Sequence, residues 1–133
     1  MGTEINKMGW EFFSAEELRC KCGCGDADMD PAFMVKLIAM RREAGFPFPL
    51  SSAYRCPAHN DRESGTGKTG PHTTRRAVDV RVSGARAYWI VANAARFGFS
   101  GIGVHQKGPH DKRFIHLDDS QAAIHPRPWV WSY

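Results

Sequence analysis

The stretch "GPHTTRRAVDVRV", residues 70–82, decides how the chain reads. From Ala77 to Val82 apolar and polar residues alternate, and a period of two is that of a β-strand. Alternation puts Val78, Val80 and Val82 on one face and Ala77, Asp79 and Arg81 on the other. A carboxylate within such a strand is costly to bury unless something pairs with it. Asp79 therefore calls for a partner on the face away from the valines. The segment "RFIHLDD", residues 113–119, offers one by the same logic. Ile115 and Leu117 fall on its core face, and Phe114, His116 and Asp118 fall opposite. Two strands thus present histidine and aspartate side chains from their non-core faces, and His72 lies seven positions before Asp79.

Working outward, strands are expected over 49–55, 77–82, 101–106 and 113–118. Ser14-Ala15-Glu16-Glu17 is a capping box that opens a short helix. Asp30 and Pro31 supply an N-cap and a first-turn proline for a second helix. Phe33, Met34, Leu37 and Ile38 recur at its helical spacing, and Gly45 ends it. A third helix runs from Ser83 to Phe97, with Ala87, Ile90, Val91, Ala94 and Ala95 on one stripe and Gly98 as its stop. Helices interleaved with short strands make the fold class α+β. At 133 residues the chain is read as a single domain, 1–133, around one core.

Composition excludes several classes. No apolar run approaches the ~20 residues of a membrane helix, so no membrane insertion is expected. The opening "MGTEINKMGWEFFSAEEL" lacks the apolar stretch of a secretory signal. The protein is therefore expected to be made in the cytoplasm and, if it acts outside it, to be released by another factor. The net charge of +4 is spread over separate segments with no basic run. Such a pattern is that of a solvated surface, and no nucleic-acid partner is expected. A monomer is expected.

His72, Asp79 and His116 together offer two imidazoles and one carboxylate. That is a ligand set for a catalytic zinc ion whose fourth position stays open.

The same stretch resembles the His-x-x-Gly-x-Ala-x-Asp signature of the zinc D-Ala-D-Ala carboxypeptidases, peptidase family M15. The resemblance extends to "CKCGCG" at 20–25, "SSAYRCPAHN" at 51–60, "GFSGIGVH" at 98–105 and "FIHLDD" at 114–119, in the family's order. It implies a small antiparallel sheet with helices packed on one face and the zinc site on the other. It also implies a metallopeptidase that hydrolyses peptide bonds in bacterial peptidoglycan, as endopeptidase or carboxypeptidase, in the manner of a phage or prophage endolysin. His72, Asp79 and His116 would hold one Zn2+ ion. Ser52 and Arg55, in the family's Ser-x-Tyr-Arg element, would bind substrate, the guanidinium forking onto a carboxylate. His105, after Gly-Ile-Gly-Val, is a further candidate for substrate contact.

Three positions depart from the family pattern. Arg75 stands where the signature has glycine, so the loop before Ala77 is expected to be shaped differently. Gly70 stands where a serine would place a hydroxyl. Arg113 occupies the position, three before the last histidine, that many relatives fill with an acid. A proton carrier is still required. Asp118 is the first candidate, with Asp111 and His110 as others, although a carboxylate that only orients His116 would occupy much the same place as Asp118. The Arg113 departure also keeps a second class open, a non-catalytic wall-binding module on the same zinc scaffold. Cys20, Cys22, Cys24 and Cys56 are compatible with a structural zinc, a disulfide or free thiols.

Overall fold

The computed structural model describes residues 9–64 and 67–133. Residues 1–8 of the N-terminal segment read above for a signal lie outside these residues. Strands β1 (Gly9–Trp10) and β2 (Phe13–Ser14) form a small antiparallel pair. They lead into helix α1 (Ala15–Leu18), where the Ser14 side chain and Glu17 close the expected capping box. Helix α2 (Pro31–Ala44) begins at Asp30, whose carboxylate accepts from the Ala32 and Phe33 amides, and ends at left-handed Gly45. Strand β3 (Leu50–Ser52) follows, then helix α3 (Pro57–Glu63). After β4 (Ala77–Val80) come helix α4 (Gly84–Asn93) and a 3-10 turn, Ala94–Phe97. Strands β5 (Gly101–His105), β6 (Phe114–Asp118) and β7 (Trp129–Ser132) complete the fold.

The main sheet has five strands in the order β3-β4-β6-β5-β7. The expected α+β class is the one observed, but the sheet is mixed, because β7 runs parallel to β5 while the other pairs are antiparallel. β7, α3 and the β1–β2 pair went unread in the sequence. The missed strand has the alternation Trp129-Val-Trp131 as its signal, in a segment otherwise crowded with prolines.

Valine and leucine positions sort onto one face as alternation requires. Val78, Val80, Val82, Ile115 and Leu117 are buried in one cluster with Phe33, Met34, Leu37 and Ile38 of α2 and Ala87 and Ile90 of α4. Ile115 and Leu117 are fully buried, each worth about 1.5–3 kcal/mol over leaving it in water. The α4 stripe is narrower than its sequence suggests. Val91 and Ala95 are exposed, and only Ala87, Ile90 and Ala94 are buried on this stripe; the α-helix gives way to a 3-10 turn at Ala94, which rotates Ala95 off the helical spacing. At the far end of the sheet Arg76 reaches Asp30 and Asp119, and Lys36 also bonds Asp119, pinning α2 to the end of β6.

The opposite face of the sheet is kept open by glycine. Gly101 and Gly103 on β5 lie opposite Asp118 and His116 on β6. A Cβ at Gly101 would come within 2.3 Å of Asp118 Oδ1, and one at Gly103 within 2.6 Å of Trp131 Nε1. Both contacts are far inside van der Waals distance. The missing side chains are the space that Asp118, His116 and Trp131 occupy. Replacing Gly101 by alanine should therefore displace Asp118, which has no free direction to move in, and should cost about 1–3 kcal/mol of stability by overpacking. Urea unfolding of Gly101→Ala beside the native chain measures this; an unchanged midpoint would mean that Asp118 is not held as described.

Candidate metal centre

Asp79 on β4 and His116 on β6 are direct register partners across an antiparallel pair. Their side chains leave the same face, away from the core. His72 comes from a 3-10 turn, Pro71–Thr74, laid over that face. The turn ends at Arg75, which itself takes the left-handed conformation, with φ of 67°. The departure from glycine at this position thus leaves the left-handed geometry in place. What holds a bulky residue there is a fork onto both oxygens of Asp26, at 2.8 and 2.9 Å, and stacking on Tyr54, with the guanidinium carbon 4.1 Å from the ring centre.

The outer nitrogens of both histidines are committed. His72 Nδ1 donates to the Ala53 carbonyl at 2.7 Å, which leaves its Nε2 as an acceptor. His116 Nε2 donates to Asp118 Oδ2 at 2.6 Å, which leaves its Nδ1 as an acceptor. Those two remaining nitrogens converge on the same atom, Asp79 Oδ1, at 3.2 and 3.0 Å. All three side chains are buried. Three lone-pair donors within 4.8 Å of one another repel unless a cation sits among them. Neighbouring ligand atoms around a tetrahedral zinc with bonds near 2.0 Å stand about 3.3 Å apart, so the residues fit that ion closely.

The electrostatics agree. Burial alone would raise the Asp79 carboxyl; positive charge on the His72 and His116 side, which with both facing nitrogens unprotonated would fall to a bound cation, holds it well below the usual carboxylate range. Asp118 behaves alike. Burial opposes its ionisation, and hydrogen bonds from His116 and Arg127 more than compensate.

The site opens on one side into a cleft of about 490 Å3, lined by Arg55, Glu63, Ser64, Pro71, Phe114, Trp131 and Tyr133 besides the three ligands. Arg55 reaches the cleft from just beyond β3, with Nη1 on Asn60 Oδ1 at 3.2 Å and Nη2 3.8 Å from Asp79 Oδ2. It is thus held near the ligands by a long ion pair while still lining the space a substrate would enter. Tyr133 stands over the site, its phenol pushed up to about 12 by burial and by the Asp79 charge.

The other residues singled out in the sequence lie elsewhere. Asp118 is fully buried and does not line the cleft. It sits behind His116, and Arg127 forks onto both its oxygens at 2.8 Å. That is the placement of a carboxylate that orients a ligand, and it does not suit the proton carrier expected above, because no oxygen of Asp118 faces the open side. Asp111 and His110 line a separate depression with Arg81 and Ser83. Arg113 bonds the Gly108 carbonyl, outside the cleft lining. Ser52 is buried in β3 opposite Asp79, and His105 packs behind Phe114 and Tyr133; neither lines the cleft. Glu63, at the end of α3, was not singled out from sequence, and its only prior signal was an acid in the segment after "SSAYRCPAHN".

A family model described as Peptidase M15 matches residues 11–118. No curated protein matches the chain. The match spans His72, Asp79, His116 and Asp118, while Arg127, Trp131 and Tyr133 lie beyond it.

The arrangement behind His116 predicts the behaviour of Asp118→Asn. Loss of the charged acceptor should weaken zinc affinity by about 10–100-fold, with excess zinc refilling the site. Competition against a chromophoric chelator reads this directly, and native affinity in the variant would remove Asp118 from the role of orienting His116.

Proposed function

The chain belongs to the peptidase M15 family, and from that premise we propose that it is a zinc-dependent hydrolase of the short peptides in bacterial peptidoglycan. The observation that carries the reading is the convergence of His72 Nε2, Asp79 Oδ1 and His116 Nδ1 at the floor of an open cleft beside an arginine. Zinc bound there would supply a Lewis acid and a water of lowered pKa.

The chain's own residues have separable tasks. Arg55 takes a carboxylate of the substrate through parallel hydrogen bonds, which suits stem peptides that carry free carboxyl groups. Trp131, Phe114 and Tyr133 form an apolar wall that restricts water. Glu63 is the carboxylate that lines the cleft besides Asp79, so it is assigned the proton. Water adds to the carbonyl carbon of the scissile bond and its proton passes to Glu63. The carbon–nitrogen bond then breaks, and Glu63 delivers the proton to the leaving amine. The Tyr133 phenol, protonated at neutral pH, donates a hydrogen bond to the oxygen on which charge develops. A role as a phage or prophage lysis enzyme accords with this chemistry, and among the described residues no helix is long and apolar enough to cross a membrane.

Purified peptidoglycan incubated with the zinc-loaded chain should release new amino termini and stem-peptide fragments, identified by mass spectrometry. A strong chelator should stop the release and added zinc restore it. Binding to peptidoglycan with no released fragment, at full zinc occupancy, would favour the non-catalytic wall-binding module.

Glu63→Gln keeps shape but cannot accept the proton, so kcat should fall by about 10²–10⁴ with zinc content unchanged. Native kcat in this variant would return the proton to another group.

A further inference from the structure

Away from the cleft, the connection between α1 and α2 folds into a tight turn carrying Cys20, Cys22 and Cys24. Gly23 and Gly25 take φ of +91° and +83°, a left-handed backbone that side chains resist. With the chain turning at these glycines, the three cysteines at every second position bring their sulfurs together, Cys20 buried and Cys22 and Cys24 at the surface. The Cys20 amide bonds the Asp26 carbonyl at 2.9 Å and closes the turn. Cys56 arrives from the residue that precedes α3.

The four sulfurs lie within 4.8 Å of one another. Cys20 Sγ and Cys22 Sγ are 3.4 Å apart, and Cys22 Sγ and Cys56 Sγ 3.5 Å. These separations are well beyond the roughly 2.05 Å of a disulfide. They approach the edge of a tetrahedron of thiolates around zinc, about 3.8 Å for bonds near 2.3 Å. Cys20, fully buried, also receives the Cys56 amide at 3.3 Å and lies 3.2 Å from Nδ1 of buried His59. Donors aimed at a sulfur stabilise its thiolate form, the form in which a cysteine ligates metal.

We propose that Cys20, Cys22, Cys24 and Cys56 hold a second, structural zinc ion, with His59 donating its Nδ1 hydrogen to Cys20 Sγ. Four protein ligands close the coordination shell, as in structural sites generally. The ion ties the α1–α2 connection to the start of α3. It thereby anchors Cys56, the residue next to Arg55, and His59, the residue next to the Asn60 that holds the Arg55 guanidinium. The cleft arginine is thus set by a metal clip outside the cleft.

The full-length chain is tested directly. Metal analysis should give about two zinc equivalents for the native protein and about one for His116→Ala, the remaining ion being held by thiolates. Cobalt loaded into the native chain should show a near-ultraviolet sulfur-to-metal charge-transfer band, which the histidine–aspartate site cannot produce. Cys22→Ser with Cys24→Ser should abolish the band. Under denaturing, chelating conditions without reductant all four thiols should titrate. Absence of the charge-transfer band in cobalt-loaded native protein would overturn the proposal even if the variants failed to fold. Titration of only two thiols would overturn it in favour of a disulfide.

Discussion

Everything at the open face depends on one buried carboxylate. Asp79 is buried at the floor of the cleft, where an unpaired charge would cost several kcal/mol. Arg55 meets that charge from beyond one oxygen, and the acceptor nitrogens of His72 and His116 at the other oxygen leave a place that a cation would fill. Those partners are themselves backed, His72 by the Ala53 carbonyl and His116 by Asp118, which Arg127 in turn neutralises. A chain of contacts therefore runs from the partly buried Arg127 through Asp118 and His116 to the cleft. Each member sets the tautomer or orientation of the next, and the ring nitrogens it leaves over point at one place.

The sheet makes this possible by keeping two chemistries apart. Its valine and leucine face joins α2 and α4 in the core, while its other face carries the site. Strand β6 lies at the centre of the sheet, so His116 has a neighbour on each side, Asp79 from β4 and the space over Gly103 from β5. Glycine at 101 and 103 makes room on a face that side chains would otherwise fill. Parallel strand β7 then closes the site laterally. Trp131 packs against His116 with ring centres 4.9 Å apart and the rings tilted by 52°.

The cysteine turn and the cleft meet at the segment after β3. Ala53 supplies a carbonyl to His72, Arg55 lines the cleft, and Cys56 joins the thiol cluster. Restricting Arg55 in advance lowers the entropy lost when it engages a carboxylate.

The sequence by itself determined the α+β class, the two principal strands and their faces, and the trio of His72, Asp79 and His116. Alternation and turn chemistry are local rules, and they sufficed because these strands obey them on both faces. The capping box at Ser14 and the glycine stop at Gly45 were legible for the same reason. Only the tertiary structure decided which carboxylate faces the cleft. Asp118 shares a strand face with His116, and alternation cannot distinguish a side chain pointing across the open cleft from one pointing behind a ring. Arg127, nine residues on, settles it by drawing that carboxylate away. Glu63, Trp131 and Tyr133 enter through elements whose packing is non-local, a short helix and an edge strand that pairs in parallel with β5. The sequence could group Cys56 with the cysteines at 20–24 by residue type, but how close the four sulfurs lie was beyond local reading, since spacing along the chain carries no information on which loops close onto each other in space.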